Sequence, residues 1–158
     1  LIDYVGLSLF SSMINRSIKI LEGIDETHEE FEVKIGENGF IPETFIPQTE
    51  VRLEIYKKFS SVKNTENLNQ LVKEIEDRFG ALPEDIKILV NLTCIRIESS
   101  KLLITKIKGD NKKCTLSLSD NSNLVSKNSS LREISINYPE KIYSKSEFLL
   151  NKLKSFSN

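Results

Sequence analysis

The chain has 158 residues, of which 39% are hydrophobic and 28% charged, and this composition fits one folded domain rather than a disordered chain. No apolar run reaches the roughly 18 residues of a membrane span and no secretory signal pattern is present, so we expect a soluble protein. Residues 1–99 carry 11 Lys and Arg against 18 Asp and Glu, which argues against a protein whose main task is nucleic-acid binding.

The first part of the chain predicts a helix followed by a half-exposed strand. Residues 4–22 place apolar side chains at helical spacing, and Gly23 suits the end of that helix. We therefore expect a leading helix over residues 1–23 and an acidic loop over residues 24–30. Residues 31–35 alternate apolar and polar side chains, as a half-exposed strand does.

Two prolines and a Gly-x-x-Pro break mark the middle of the chain. Pro42 and Pro47 predict an extended crossing, because each proline fixes its own φ and restricts the residue before it. Gly80 suits the end of one helix and Pro83 the start of the next. This punctuation specifies a fold but names no chemistry.

Three helices are predicted around that break. Thr49 is a candidate cap for a helix that runs to about Phe59, and Asn64 or Thr65 caps a helix over residues 65–79 with one clean apolar stripe. The helix after Pro83 is apolar nearly all round, so we expect it at the centre of the core.

The last third predicts a small antiparallel sheet and a closing helix. Residues 103–108, 114–118 and 133–137 alternate apolar and polar side chains, and Ser144 begins a capping box before the final apolar stripe. We expect an α+β fold with helices packed on a small, largely antiparallel sheet in a single compact domain. Residues 31–108 would form its helical core, and residues 109–158 its strands and closing helix.

Catalytic and metal-binding patterns are not found in the sequence. It has no Gly-rich phosphate loop, and its one histidine, His28, and its two cysteines, Cys94 and Cys114, are dispersed. We therefore expect no catalytic site, no metal site and no cofactor in this chain, and we interpret the two cysteines as buried structural thiols.

One polar cluster stands out on the helix over residues 65–79. Glu74, Asp77 and Arg78 are spaced i, i+3, i+4 away from the centre of the apolar stripe, so they form an exposed charged cluster. The cluster is either a solvated helix pair of small energetic weight or a docking face for a charged partner.

The punctuated region also resembles a known family. Residues 41–47 fit a pattern IP-x-x-(Y/F)-IP, residues 52–58 fit RL-x-x-Y-(K/R)-(K/R), and residues 74–83 fit E-x-x-DRFG-x-LP. These patterns, with Val5-Gly6-Leu7, are similar to the C-terminal domain of bacterial transcription-repair coupling factors (Mfd) over residues 4–108. The sequence departs from the family at Leu103, where the family has a glycine in a turn. The motif residues expected to have structural roles are Pro42, Pro47, Arg52, Tyr56, Phe79, Gly80 and Pro83.

The resemblance implies a regulatory domain without catalysis. Such a domain docks on a UvrB-like module of the same protein through the residues matched here by Glu74, Asp77 and Arg78, and it thereby masks the binding of UvrA. The resemblance also implies a cytoplasmic parent that uses ATP and magnesium, bound upstream of Leu1, to translocate on double-stranded DNA. That parent displaces stalled RNA polymerase and recruits nucleotide excision repair, with no membrane contact.

Two alternatives stay open. Residues 100–158 carry 11 Lys and Arg against 5 Asp and Glu, so this part is either an accessory nucleic-acid-binding region or simply a solvated surface. The candidate phosphate contacts are Lys106, Lys108, Lys112, Lys113 and Lys127. A structural cap on the motor of the parent is the other alternative.

Overall fold

The structure of the protein is a computed structural model that describes residues 31–125 and 132–157. The helix and acidic loop expected before residue 31 lie outside these described ranges. In chain order the elements are β1 (Glu32–Lys34), α1 (Thr49–Ser61), α2 (Thr65–Phe79), α3 (Glu84–Lys101), β2 (Ile104–Gly109), β3 (Lys113–Leu118), β4 (Glu133–Asn137) and α4 (Lys145–Phe156). The expected α+β class is confirmed.

Helix ends follow the local signals in the sequence. Asn64 caps α2 by accepting a hydrogen bond from the backbone N–H of Asn67 at 2.8 Å, and Gly80 ends it with a φ of 99°. Ser144 caps α4 in the same way by accepting from Glu147. The assignment of Thr49 as a cap was wrong: Gln48 is the N-cap residue of α1 and makes no side-chain cap. Thr49 lies inside the first turn, where its hydroxyl accepts a hydrogen bond from Arg52.

The four strands form one sheet in the order β1-β2-β3-β4. β2, β3 and β4 pair antiparallel, as predicted, whereas β1 pairs parallel to β2 and makes the sheet mixed. Alternation buries every second side chain of β3, and in β2 a register shift between Ile104 and Lys106 separates two buried isoleucines. The buried apolar side chains of β2, β3 and β4 are Ile104, Ile107, Cys114, Leu116, Leu118 and Ile136.

The chain divides into two compact units, and the division falls inside α3 between Cys94 and Ile95. Residues 38–94 belong to the first unit, and residues 31–37 with 95–125 and 132–157 belong to the second. The first unit has its own core of fully buried side chains, the largest of which are Tyr56, Phe59, Ile41, Ile46, Ile55, Leu68, Ile75, Ile86 and Leu89. In the second unit, α4 buries Leu149, Leu150 and Leu153.

The segment between the two prolines is a turn rather than the expected extended crossing. Residues 43–45 form the turn, and the backbone N–H groups of Phe45 and Ile46 both donate to the carbonyl of Pro42 at 3.0 Å. Proline restricts only itself and the residue before it, so Pro42 and Pro47 leave residues 43–45 free to bend.

Leu103 occupies the turn between α3 and β2 in the left-handed conformation. Its φ is 55°, and it is the non-glycine residue with positive φ in the described part of the chain. The backbone N–H of Leu103 donates to Ser100, and its carbonyl accepts from Ser119. The turn therefore holds a leucine in a conformation that glycine adopts at lower cost.

Among the helices of the described ranges, none is long and apolar enough to cross a membrane.

Candidate functional site

The predicted cluster on α2 lies on the surface of the first unit, next to α1. Glu74 and Arg78 keep 38% and 39% of their side-chain surface exposed, and Asp77 is exposed. Helix α1 adds Lys58, whose ammonium donates to Oε1 of Glu74 at 2.8 Å. Arg78 donates to the same carboxylate oxygen at 3.4 Å. We call Lys58, Glu74, Asp77 and Arg78 the α2 charged surface.

Two cations share one carboxylate at this surface. The hydrogen bond and the charge of Lys58, and after them the hydrogen bond of Arg78, lower the pKa of Glu74 below its ordinary value of 4.5. The same hydrogen bond from Lys58 to Glu74 raises the pKa of Lys58. Because each of the three side chains keeps 38–40% of its surface exposed, water and salt screen these pairs and each contributes little to stability.

Asp77 and Arg78 are exposed residues in the last turn of α2. Within residues 31–125 and 132–157, no cation lies at ion-pair distance from Asp77. The guanidinium of Arg78 lies 4.8 Å from the centre of the Phe79 ring, a cation–π contact that limits its rotamers. A carboxylate and a held guanidinium thus lie side by side on one turn of helix.

Lys58 is the residue of this surface that sequence reasoning missed. It belongs to the second family pattern, but its role depends on the packing of α1 against α2, which a helical wheel of α2 does not include. The signal that was available is Glu54, four residues before Lys58 on α1, and the two side chains pair at 3.4 Å.

The motif residues of α1 hold the proline segment. Arg52 is buried and donates to the carbonyls of Ile46 at 2.8 Å and Pro47 at 2.9 Å. Tyr56 is fully buried, and its hydroxyl accepts from the backbone N–H of Ile41 at 2.7 Å. The two side chains therefore fix both ends of the turn against the helix that carries Lys58.

The remaining motif residues fix the end of α2. The ring centres of Phe79 and Phe45 lie 6.0 Å apart, and Phe45 belongs to the turn between the two prolines. The backbone N–H of Gly80 donates to the carbonyl of Glu76 at 2.9 Å and ends the helix. The carbonyl of Pro83 accepts the first backbone hydrogen bonds of α3, from Ile86 and Lys87. These residues position the last turn of α2, which carries Asp77 and Arg78.

The lysines of the alternative interpretation are only partly brought together. Lys106 lies 3.8 Å from the carboxylate of Glu32, whereas Lys108, Lys112 and Lys113 are exposed at the β2–β3 end of the sheet. Lys127 and His28 lie outside the described ranges. Cys94 and Cys114 are free thiols, of which Cys114 is buried and Cys94 half-buried. In the part of the chain that the structure describes, no group of three potential ligands could hold a metal ion.

Comparisons with known proteins point in one direction. A family model described as the TRCF domain matches residues 35–129. Three relatives are transcription-repair-coupling factors: one from Borreliella burgdorferi is 33% identical over 112 residues, one from Bacillus subtilis 29% over 143 residues, and one from Escherichia coli 29% over 116 residues. These alignments cover 70%, 89% and 70% of this chain but only 10%, 12% and 10% of the relatives. The chain therefore spans about a tenth of the length of the curated relatives it matches.

The fold has a solved counterpart. A crystal structure of the C-terminal domain of transcription-repair coupling factor superposes with a TM-score of 0.64 at 20% identity, covering 82% of this chain and 97% of that one. That likeness shows the fold, while the family model matches more than half of the sequence. The chain belongs to the TRCF domain family.

Proposed function

We propose that this chain is a regulatory domain without catalysis, which docks through the α2 charged surface on a UvrB-like module of its own protein and thereby masks the binding of UvrA. The observation that carries the proposal is the pair Asp77 and Arg78, which the family motif positions on the last turn of α2 with polar atoms open to a partner. The parent would be an ATP-dependent translocase on double-stranded DNA that displaces stalled RNA polymerase.

The charges of this surface leave Asp77 for a basic group of the partner. Lys58 and Arg78 both pair with Glu74, so Asp77 is the carboxylate of the surface without a cation at ion-pair distance among the described residues. The Lys58 pair also restricts one oxygen of Glu74, so the carboxylate is oriented before a partner arrives. Orientation in advance lowers the entropy that docking must overcome.

The small energy of each pair suits a reversible switch. Exposed ion pairs contribute about 0.2–1 kcal/mol each, so several pairs with the packing around them amount to a few kcal/mol. A difference of that size holds a closed state in excess, yet a second ligand with moderately higher affinity for the open state reverses it. Polymerase binding elsewhere in the parent would be such a ligand.

The test compares two double variants of the full-length coupling factor. Asp77→Ala with Arg78→Ala removes the proposed contacts and keeps the Lys58–Glu74 pair. Lys73→Ala with Glu76→Ala is the matched control, because it also removes one cation and one anion from exposed positions of α2, outside the cluster. UvrA binding is measured by titration.

We expect the first variant to bind UvrA at least about tenfold more tightly than wild type, which corresponds to about 1.4 kcal/mol of docking. The control should bind UvrA as wild type does. Equal UvrA affinity for all three proteins would contradict the proposal. Loss of thermal stability in the first variant without any gain in UvrA binding would favour a structural cap on the motor instead.

A further inference from the structure

The second unit carries one feature that the docking proposal does not use, a tyrosine that projects entirely into solvent. Tyr143 has a relative exposure of 107% and lies in the loop between β4 and α4. Burial of a tyrosine ring normally stabilises a fold, so this ring contributes nothing to the core. The exposed ring is free to stack on a partner's ring.

Backbone contacts bring this loop to one end of the sheet. The N–H of Tyr138 donates to the carbonyl of Lys112 at 2.8 Å, so the chain leaving β4 lies beside the turn between β2 and β3. The ammonium of Lys145, in the first turn of α4, donates to Asn111 of that turn at 2.8 Å. The loop of Tyr143, the turn and the start of α4 therefore meet.

Lysines gather at the same place. The strand register places the end of β2 opposite the start of β3, and Lys113 opposite the last residue of β4. We call the following residues the basic end of the sheet: Lys108, Lys112, Lys113, Lys141, Tyr143 and Lys145.

The carboxylates near the basic end are directed to the backbone. Asp110 accepts from the N–H groups of Lys112 at 2.7 Å and Lys113 at 3.0 Å, and Glu37 accepts from those of Lys145 and Ser146. Glu140 and Glu147 are exposed and are two further acids in this part of the second unit. Five lysines against four carboxylates leave an excess of one positive charge, with no described carboxylate at ion-pair distance from the five ammonium groups.

We propose that the basic end of the sheet binds single-stranded nucleic acid, with the lysines on the phosphates and an unpaired base stacked on Tyr143. Single-strand binders combine lysines, which bind the phosphates, with exposed aromatic rings, which stack on the π-faces of the bases. A duplex keeps its bases stacked on one another, so it would use the lysines without the ring. This inference does not rest on docking through α2.

The test uses the 158-residue chain and a fluorescent oligothymidine of about 15 nucleotides, followed by anisotropy from about 50 to 200 mM salt. Tyr143→Ala should weaken binding at least about fivefold, the lower limit for the loss of one stacked base, and Tyr143→Phe should stay within about twofold of wild type. Lys112→Gln with Lys113→Gln should lower the slope of log K against log salt by about 0.7 for each phosphate that the variant no longer neutralises.

Lys152→Gln with Lys154→Gln is the matched control, because it removes the same charge from exposed positions of α4 outside the basic end. It should leave the affinity near that of wild type. The proposal is overturned if the chain does not bind the oligonucleotide in low salt, if the control weakens binding as much as the Lys112 and Lys113 pair, or if Tyr143→Ala has no effect. Equal affinity for a duplex or for polyglutamate, with no dependence on Tyr143, would also overturn it.

Discussion

The α2 charged surface and the basic end of the sheet contain similar residue types but use their carboxylates differently. On α2 the acid Glu74 is paired with cations from two helices, so most of the charge is neutralised by side chains. At the basic end Asp110 and Glu37 accept from backbone N–H groups, so they shape a turn and a helix start. The net charge of a segment therefore predicts a surface only when the partner of each carboxylate is known.

The largest effect on stability is expected from Arg52 in α1, the helix that also carries Lys58. Arg52→Met removes the buried guanidinium that binds the carbonyls of Ile46 and Pro47, and it leaves both acceptors without this donor. We expect a loss of about 3 kcal/mol in the free energy of unfolding, measured with denaturant. Arg52→Lys should lose less, because one ammonium keeps a charge-assisted bond. A loss under about 1 kcal/mol for the methionine variant would show that α1 does not depend on this anchor.

A smaller effect on stability is expected at Glu37, near the basic end of the sheet. Glu37→Gln weakens the charged cap at the N-terminus of α4, and we expect a loss of about 1 kcal/mol in the free energy of unfolding. Glu140→Gln removes the same charge from an exposed position outside this cap, and it should change stability by less than about 0.5 kcal/mol. If both variants lose the same stability, Glu37 acts only through net charge and the contrast with α2 fails.

A substitution in the turn at Leu103 is expected to increase stability. Leu103→Gly relieves the left-handed leucine at a site where 42% of the residue is exposed, so little apolar burial is lost. We expect a gain of about 0.5–1 kcal/mol in the free energy of unfolding. Leu103→Ala keeps a Cβ at the same φ and should not be more stable than wild type. Equal gains in both variants would mean that exposure of leucine, not backbone conformation, sets the cost.

The smallest effect is expected from the pair between Glu74 and Lys58. The pKa of Glu74 is lowered in the folded state, so its ionised form adds stability above the ordinary value of 4.5, and this contribution is lost as the pH falls through the lowered pKa. Glu74→Gln should therefore cost about 0.5 kcal/mol near neutral pH and nothing in acid. Denaturant unfolding across this range measures the difference. In a Lys58→Met background the pH dependence of that difference should shrink; an unchanged dependence would contradict the role of Lys58.

Local signals made most elements predictable from the sequence. The apolar stripe of α2, its cap at Asn64 and its end at Gly80 depend on residues within a turn of one another, and the structure has them as expected. Ser144 and the alternation in β2, β3 and β4 are of the same kind. The exposed position of Asp77 and Arg78 also follows from the helical period.

Contacts between distant residues were not predictable in this way. Lys58 and Glu74 are 16 residues apart, and Glu37 meets Ser146 across 109 residues, so neither pairing has a local pattern. The parallel pairing of β1 with β2 also joins residues far apart in the sequence, such as Glu32 and Lys106. The turn after Pro42 was missed for another reason, since the two prolines do not restrict residues 43–45, which form it.

Docking through α2 can be measured by inhibition in trans. The 158-residue chain is added to a coupling factor truncated before this segment, and binding of UvrA to the truncated protein is measured. We predict that the wild-type chain suppresses UvrA binding, that Tyr143→Ala suppresses it equally, and that Asp77→Ala with Arg78→Ala does not. Suppression by the Asp77 and Arg78 variant at the wild-type concentration would contradict docking through α2.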